Sequence, residues 1–253
     1  HNFRILCPTG FLYHDGKIVE RSLRKGPWWT LFQRTYRGSF LGTLITVLMI
    51  QFHRNNQTWE RKVDKVVALT SFAKEIFAKY LIPERLLVVK GNAANAPEQS
   101  LISIEPRPAR ALYVGRLSEE KGLHVLMNAW KGLEYPIRIC GGGPMAEWMQ
   151  SFENPNVHLC GKISSDQVQC EMLDAAFLVL PSVCYEMFPM TLAEAFGSGL
   201  PVIASRLGAL ADLVEDGVTG LHFTAGDYED LRRVVKWAVA HPLEILRMGI
   251  NAR

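Results

Sequence analysis

The 253-residue sequence lacks several features that define common protein classes. It has only five cysteines, an odd number without a C-x-x-C pair, which argues against a disulfide framework or a zinc site and indicates a reducing compartment. It also lacks an H-E-x-x-H motif, a D-x-D pair and a G-x-S-x-G elbow. We therefore predict neither a metal site nor a serine nucleophile of the hydrolase type.

No uncharged apolar run reaches the roughly 20 residues that cross a bilayer. The best candidate, Gly38–Phe52, has 15 residues between Arg37 and His53, and we predict that it forms a buried helix. The preceding segment Arg21–Arg37 mixes aromatic and cationic side chains, a composition that can lie at a membrane interface. No signal peptide opens the sequence. We expect a cytoplasmic protein, with peripheral contact at the inner membrane face as a further expectation.

Acidic residues are scarce in the first part of the chain. Residues 1–105 carry 15 Lys and Arg against 8 Asp and Glu, whereas residues 106–253 carry 13 against 17. Opposite net charges suggest two domains with different partners. For the basic part, plain solubility and contact with an anionic membrane or acceptor are equally good explanations. Asn92–Pro108, rich in Ala, Pro, Gln and Ser, reads as the linker.

Short apolar runs alternate with helical patterns, which predicts an α/β fold with parallel strands covered on both faces. The predicted strands are Val66–Leu69, Leu86–Val89, Arg110–Val114, Ile137–Cys140, Val157–Cys160, Phe177–Leu180, Val202–Ala204 and Leu221–Phe223. The predicted helices are Ser71–Lys79, Lys121–Lys131, Met145–Phe152, Ser165–Asp174, Met190–Ser198, Leu207–Glu215 and Tyr228–Ala240. Only two predicted strands precede the linker, too few for a doubly wound sheet, so we expect the first domain to be partial.

The densest motif runs from Tyr185 to Ser205. Pro189 marks a helix start, and the free N–H groups and dipole of a helix N-terminus attract anions. Glu186 precedes this helix and Glu194 lies inside it, so the two carboxylates could hydrogen-bond sugar or ribose hydroxyls. From spacing alone, a helix cap with a surface glutamate explains the pattern equally well.

Two more loops follow predicted strands. Arg116 and Lys121 stand five residues apart after Gly115, where two cations could neutralise a diphosphate at the carboxyl edge of a sheet. An exposed loop with local charge contacts is the alternative. Gly141–Gly143 satisfies a dinucleotide fingerprint, but no acidic residue for a ribose follows the next strand. A sharp turn that lets a ligand approach the backbone is the better interpretation.

In this order the motifs closely resemble the nucleotide-binding domain of retaining GT-B glycosyltransferases of the glycosyltransferase family four, or group 1, type. The matching segments are Val114-Gly115-Arg116 with Lys121-Gly122, Gly141–Pro144, Val157–Gly161, Leu180–Ser182, Glu186 with Glu194 in the E-x7-E spacing, Gly199–Ala204 and Glu215–Leu221. His1–Arg4 and Ala68–Lys74 resemble parts of the family's first domain. The family's opening strands, its glycine-rich loop and a final crossing helix have no counterpart, so we expect a fragment truncated at both ends.

The resemblance implies two Rossmann-like domains with parallel sheets, a partial acceptor-side domain at 1–105 and a nucleotide-sugar-binding domain at 106–253. It implies that a sugar moves from a UDP- or GDP-sugar to a hydroxyl with retained configuration, in polysaccharide or glycolipid biosynthesis, without metal or cofactor. The expected partners are the nucleotide-diphosphate sugar, a carbohydrate or lipid-linked acceptor and further copies of the chain, but no nucleic acid. The alternatives are a non-catalytic nucleotide-sugar-binding fragment and a GT-B-shaped sugar-nucleotide epimerase.

The resemblance also implies roles for individual residues. Arg116 and Lys121 would hold the diphosphate, Glu194 the ribose, and Glu186 with the Phe188–Thr191 backbone the donor sugar. The catalytic candidates are Glu186 and His1, the latter facing the donor sugar in the family. The donor-binding candidates are Gly115, Arg116, Lys121, Gly161, Lys162, Ile163, Phe188, Pro189, Met190, Thr191 and Glu194, with Gly161–Ile163 contacting the base through the backbone.

Overall fold

The computed structural model describes residues 2–94 and 107–253. These residues form two compact units. The first comprises residues 2–91 with Cys184–Phe188, and the second comprises the described parts of 92–183 with Pro189–Arg253. The predicted boundary at 105/106 and most of the predicted linker lie outside the described residues, so the domain limits stay a prediction.

The second unit is built on a six-stranded parallel sheet. Its strands are β5 (Ala111–Val114), β6 (Ile137–Cys140), β7 (Val157–Gly161), β8 (Phe177–Leu180), β9 (Val202–Ser205) and β10 (Gly220–Phe223). Their order across the sheet is β10-β9-β8-β5-β6-β7. Its helices are α5 (Leu123–Trp130), α6 (Ala146–Gln150), α7 (Ser165–Leu173), α8 (Met190–Gly197), α9 (Ala209–Leu213), α10 (Tyr228–Ala240) and α11 (Pro242–Ala252). The α/β prediction is confirmed.

Alternate residues of β5 show how this sheet is covered. Ala111 and Tyr113 belong to a core on one face that includes Trp130, whereas Leu112 and Val114 belong to a core on the other face. Every residue of β5, β8 and β9 is buried. Continuous apolar runs of this kind are typical of parallel strands with helices on both faces.

The first unit contains little sheet. Its strands are β1 (Tyr13–His14), β2 (Lys17–Ile18), β3 (Val66–Ala68) and β4 (Leu87–Val89), and its helices are α1 (Arg21–Lys25), α2 (Phe40–Asn55), α3 (Thr58–Lys62) and α4 (Ser71–Tyr80). β3 and β4 pair in parallel, as two neighbouring strands of an α/β domain should. The β1–β2 hairpin was not predicted, because two-residue strands leave no alternating pattern. The one sequence signal for this hairpin is the Asp15-Gly16 pair, which is typical of two-residue hairpin turns and has positive φ at both residues.

The helix predicted over Gly38–Phe52 exists as α2, but the prediction that it is buried is wrong. Leu41, Ile45 and Phe52 are 64%, 59% and 63% exposed. The buried face holds Thr43 and Thr46, whose hydroxyls donate to carbonyls one turn earlier in the chain, together with Val47 and Ile50. None of the described helices has the length and apolar character needed to cross a bilayer.

Candidate active site

The first site loop of the second unit follows β5. Tyr113 donates its hydroxyl hydrogen to the Arg116 carbonyl at 2.9 Å, which fixes the turn through Gly115. A side chain at Gly115 would stand 3.0 Å from that hydroxyl. The Arg116 guanidinium projects from this braced turn and is exposed. Within residues 107–253, no acidic side chain lies within ion-pair distance of it, so its charge is available to a ligand.

The glycine-rich loop after β6 interlocks with the β5 loop. Gly115 N–H donates to the Cys140 carbonyl at 3.0 Å, and Leu117 N–H donates to the Gly142 carbonyl at 3.0 Å. A Cβ at Gly141 would collide with the Gly115 carbonyl, and one at Gly143 with Leu117 backbone atoms. The neighbouring loop therefore requires both glycines, and the predicted approach of a ligand to this backbone stays a prediction.

An open cavity, here the Arg116 cavity, lies at the carboxyl edge of β5, β6 and β7. Its lining residues are Val114, Gly115, Arg116, Cys140, Gly141, Gly142, Lys162, Ile163 and Val168. Four predicted donor-binding residues, Gly115, Arg116, Lys162 and Ile163, thus come together at the sheet edge where α/β proteins bind ligands. Burial, with a contribution from Cys160, raises the pKa of Cys140 to about 12, so this wall carries a neutral thiol.

A second cavity, here the Glu194 cavity, lies beside α7 and α8 and has Val168 in common with the Arg116 cavity. Its lining residues are Ala93, Ala94, Ser165, Asp166, Val168, Gln169, Met172, Met190, Glu194 and Ser198. Glu194 is half-buried, and within the described parts of the chain no cation pairs with its carboxylate. The cavity therefore presents carboxylate, hydroxyl and amide groups, which suit a polyhydroxyl ligand.

The polar residues of α7 in this cavity were not among the predicted site residues. Ser164 caps α7, accepting a hydrogen bond from Gln167 N–H, while the Gln167 side chain accepts one from Ser164 N–H. This capping box fixes the start of α7 shortly after β7, and the first two turns of the helix bring Ser165, Asp166 and Gln169 to the cavity. The Ser-Ser-Asp-Gln sequence was the signal that could have indicated them.

Lys121 lies in a 3-10 turn, Glu119–Lys121, which replaces the first turn of the predicted helix Lys121–Lys131. The turn is anchored to the loop after β8, because Val183 N–H donates to the Glu120 carbonyl at 3.0 Å. Gly122 has φ +71°, and a Cβ there would collide with the Pro181 carbonyl. Lys121 is half-buried and lines neither the Arg116 cavity nor the Glu194 cavity.

Glu186 lies in Cys184–Phe188, which packs with the first unit. Its own exposure is 8%, and both flanks are fixed. Tyr185 donates to Glu20 at 3.0 Å and packs on the Phe72 ring at 4.8 Å, while Met187 joins the first unit's core. The contacts of Tyr185 and Met187 therefore fix the backbone on both sides of Glu186.

The remaining predicted residues surround the start of α8 or end a strand. The prediction that Pro189 marks the helix start is confirmed, since α8 begins at Met190. Met190 is 41% exposed and lines the Glu194 cavity, and Thr191 is half-buried in the first turn. Phe188 lies against Gly91, and Gly161 ends β7 and accepts from Gly141 N–H at 2.8 Å. His1 lies outside the described residues.

Within the described residues, no three His, Cys, Asp or Glu side chains are placed to hold a metal ion together. The predicted absence of a metal site stays a prediction. The positive charge at the Arg116 cavity comes from Arg116 and Lys162.

Residues 108–241 match the family described as "Glycosyl transferases group 1", and this chain belongs to that family. Assignment to family four and the retaining stereochemistry stay predictions. The D-rhamnosyltransferase WbpZ of Pseudomonas aeruginosa is 30% identical over 57% of this chain and 40% of its own length. The glycogen synthase of Mycobacterium tuberculosis is 26% identical over 87% of this chain and 56% of its own. The chain thus spans about half the length of the curated relatives it matches.

Solved structures agree in fold. HepE of Anabaena, in complex with UDP and glucose, superposes with a TM-score of 0.67 at 18% identity, covering 85% of this chain and 62% of its own. The fold of this chain is therefore that of the GT-B glycosyltransferases, as the sequence resemblance predicted.

Proposed function

We propose that this chain belongs to an enzyme that transfers a sugar from a nucleotide-diphosphate sugar to a hydroxyl acceptor. The observation that carries the proposal is a pair of cavities that have Val168 in common: a cationic one at the carboxyl edge of β5, β6 and β7, and one beside α7 and α8 that carries the carboxylates of Asp166 and Glu194. A nucleotide-diphosphate sugar has a matching pair of chemical parts, an anionic diphosphate and hydroxyl-rich sugars. The titles of HepE structures report UDP and UDP-glucose as ligands, which supports a nucleotide donor here.

Arg116 is the strongest candidate for the diphosphate. A guanidinium donates two parallel hydrogen bonds to phosphate oxygens. Because the Tyr113 hydroxyl already fixes the turn through Gly115, little backbone conformational entropy is lost when a ligand binds. Lys162 lines the same cavity and adds a second positive charge. We retain Lys121 as a further candidate, with a ligand-induced movement required for its ammonium to reach the Arg116 cavity.

Glu194 is the candidate for the ribose, because a carboxylate accepts hydrogen bonds from two neighbouring hydroxyls. Glu186, with the backbone of Phe188–Thr191, is the candidate for the transferred sugar. Gly161–Ile163 would contact the base through backbone groups. When the donor's glycosidic bond breaks, negative charge develops on the leaving phosphate oxygen. Positioned cations stabilise that charge in the transition state.

We further propose that the configuration at the anomeric carbon is retained and that the product is a polysaccharide or glycolipid. No serine or aspartate of a known nucleophile motif accompanies the proposed site. That supports attack by the acceptor hydroxyl on the face from which the phosphate departs. Proton NMR of the first product formed from a labelled donor would distinguish retained from inverted configuration.

Calorimetric titration with UDP, GDP and their sugars tests the diphosphate assignment. We expect Arg116→Ala to weaken binding of the preferred nucleotide by about tenfold or more, since a charged hydrogen bond contributes about 1.5–3 kcal/mol. Lys236→Ala, an exposed cation on α10, is the matched control and should bind as the unchanged chain does. Equal affinity of Arg116→Ala and the control would contradict the assignment.

The two glutamates are separated by comparing free nucleotide with nucleotide-sugar. Glu194→Ala should weaken both ligands, because both contain the ribose. Glu186→Ala should weaken only the sugar-bearing ligand. If both variants lose UDP or GDP affinity equally, Glu186 does not hold the sugar. A labelled donor then distinguishes the two remaining functions. Binding with transfer of the label to an acceptor indicates a transferase, whereas binding without transfer indicates a chain that only binds the donor.

A further inference from the structure

Two cysteines lie on neighbouring strands at the carboxyl edge of the second unit's sheet. Cys140 ends β6, and Cys160 precedes Gly161, the last residue of β7. The strands pair in parallel, with Ile139 opposite Leu159 and Cys140 opposite Gly161. The register therefore shifts by one residue at this step, and Cys160 is the extra residue of the resulting bulge. The bulge places Cys160 diagonally beside Cys140.

Both thiols lie on the same face of the sheet. Cys140 belongs to the core that includes residues of α7 and α8, and Cys160 packs against that core, whereas Leu159 packs against the core on the opposite face. Strands lie about 4.8 Å apart and rise about 3.3 Å per residue, so a one-residue diagonal separates the two Cα atoms by about 6 Å. A disulfide spans Cα separations of about 4.4–6.8 Å. The two cysteines are therefore placed for a bond between their sulfurs.

The two thiols differ in accessibility. Cys140 is 1% exposed and lines the Arg116 cavity. Cys160 is half-buried on β7, which is an edge strand of the described sheet. Lys162, two residues beyond Cys160, is exposed, and its charge attracts small anions to this edge. An anionic oxidant in solution therefore reaches Cys160 before it reaches Cys140.

From this juxtaposition we propose that Cys140 and Cys160 are a reversible disulfide site, oxidised by a low-molecular-weight disulfide such as glutathione disulfide. In a reducing compartment the dithiol form predominates, and disulfides that form there are transient. The site lies wholly within the second unit, among the residues that match the glycosyltransferase family. The pairing of the two sulfurs therefore does not depend on what further segments of a longer protein would cover, and it does not rest on the proposed sugar transfer.

The reaction proceeds by two thiol–disulfide exchanges. The Cys160 thiolate attacks one sulfur of glutathione disulfide, which forms a mixed disulfide and releases one glutathione thiolate. Cys140 then gives its proton to solvent, its thiolate attacks the Cys160 sulfur, and the second glutathione thiolate leaves. Two electrons pass from the two cysteines to the oxidant, and the two released thiolates take up the two protons.

The pKa of Cys140 agrees with this order of attack. Burial, with the charge of Cys160 and a hydrogen bond to its thiol, raises the pKa of Cys140 to about 12, so Cys140 keeps its proton while Cys160 is a thiol. Once Cys160 is part of the mixed disulfide, its negative charge no longer opposes ionisation of Cys140. Formation of the mixed disulfide thus favours the second exchange, which closes the bridge.

Closing the bridge should change the Arg116 cavity. Cys140 and Lys162 both line this cavity, and the bond draws the end of β7 toward β6. If the cavity holds the diphosphate, as proposed above, the oxidised chain should bind UDP or GDP severalfold more weakly than the reduced chain. This consequence rests on the proposed function, whereas the disulfide itself does not.

Mass spectrometry of the full 253-residue chain tests the proposal. The chain is equilibrated with mixtures of glutathione and glutathione disulfide, quenched with acid, alkylated and digested with trypsin. Residues 139–162 follow Arg138 and contain no Lys or Arg before Lys162, so one tryptic peptide carries both cysteines. We expect this peptide to lose its two thiol hydrogens under oxidising conditions, with neither cysteine alkylated nor joined to glutathione.

Three alanine variants serve as controls. Cys160→Ala, at a half-buried residue, should leave Cys140 a thiol that is alkylated after unfolding. Cys140→Ala should stop the reaction at the mixed disulfide of Cys160. Cys170→Ala removes an exposed cysteine of α7 and should leave the bridge unchanged. In the unchanged chain the bridge should persist at a glutathione concentration at least about tenfold above that which reduces the mixed disulfide of Cys170, because closure is intramolecular.

Three results would overturn the proposal. The first is a mixed disulfide at Cys160 that never closes, and the second is a bond from Cys160 to Cys170, which joins peptide 139–162 to peptide 163–206. The third is an unmodified peptide 139–162 under conditions that fully modify Cys170.

Calorimetric titration with UDP and GDP separates this site from the proposed function. The reduced and oxidised chains are compared, and Cys160→Ala, whose affinity should not respond to the oxidant, is the control. If neither form of the unchanged chain binds nucleotide while the bridge still forms, the proposed function fails and the disulfide site stands. If both forms bind equally well, the effect of the bridge on the Arg116 cavity is overturned.

Discussion

The two units bury their apolar side chains to very different degrees. In the second, Trp130 and Phe177 are almost entirely inaccessible, and three strands are buried along their whole length. In the first, Val67 and Val89 of the β3–β4 pair are 53% and 47% exposed. A six-stranded parallel sheet with helices on both faces gives each apolar residue neighbours on every side, whereas a two-stranded pair does not. In the second unit's sheet an apolar run therefore indicates burial, whereas in the first unit a small core that includes Phe3, Leu12 and Phe77 lies beside apolar strand residues that are half exposed.

The largest expected effect contrasts two tryptophans. Trp130→Ala should lower the free energy of unfolding by about 3–5 kcal/mol, because it leaves a cavity and removes the bond from the indole N–H to the Tyr135 carbonyl. Trp28→Ala, at a half-exposed residue, should cost less than about 1 kcal/mol. Denaturant titration checks both. Equal losses would mean that the first unit is packed as tightly as the second.

A smaller effect tests whether the second unit's loops are as rigid as its strands. Gly122→Ala should cost about 3 kcal/mol, because the added carbon meets the Pro181 carbonyl and φ is +71°. Gly217→Ala, at φ +77° in open space, should cost only the backbone strain of about 1 kcal/mol. Thermal unfolding measures the difference. If the two variants melt together, the 3-10 turn can move away from the β8 loop.

Helix caps offer a comparison in which the units should agree. Ser164 caps α7 in the second unit and Thr70 caps α4 in the first, each accepting a backbone N–H bond. Ser164→Ala and Thr70→Ala should each cost about 1 kcal/mol. Urea titration of both variants checks this. A much larger loss at Thr70 would contradict the view that local helix energetics are the same in both units.

The smallest effect concerns two tyrosines and leaves stability near neutral pH unchanged. Burial raises the pKa of Tyr135 to about 12, and burial with the bond to Glu20 raises the pKa of Tyr185 to about 12. Since both lie above the ordinary value, the neutral phenols contribute stability below pH about 10, which is lost as pH rises toward 12. Carbon NMR of labelled tyrosine should find both rings protonated at pH about 10.5. Glu20→Gln should lower the pKa of Tyr185 alone.

The strands of the second unit could be predicted because each is a continuous apolar run between turn residues, as in Phe177–Leu180. The α8 start could be predicted from Pro189, whereas Lys162 was a candidate through the family resemblance alone, and its position beside Arg116 in one cavity was not predicted. The exposure of α2 could not be predicted, because an apolar run does not indicate which other elements pack against it. Nor could the packing of Cys184–Phe188 with the first unit, since contacts such as Tyr185 with Glu20 join residues 165 positions apart.

The interlocked loops after β5, β6 and β7 have a consequence for the kinetics of the site. Their amides are hydrogen-bonded in series, from Gly115 to Cys140, from Gly141 to Gly161 and from Met145 to Leu117. These loop amides should exchange with solvent deuterium nearly as slowly as those of the strands. A ligand entering the Arg116 cavity would find the backbone already ordered, so little conformational entropy is left to lose and association needs no slow rearrangement of these loops.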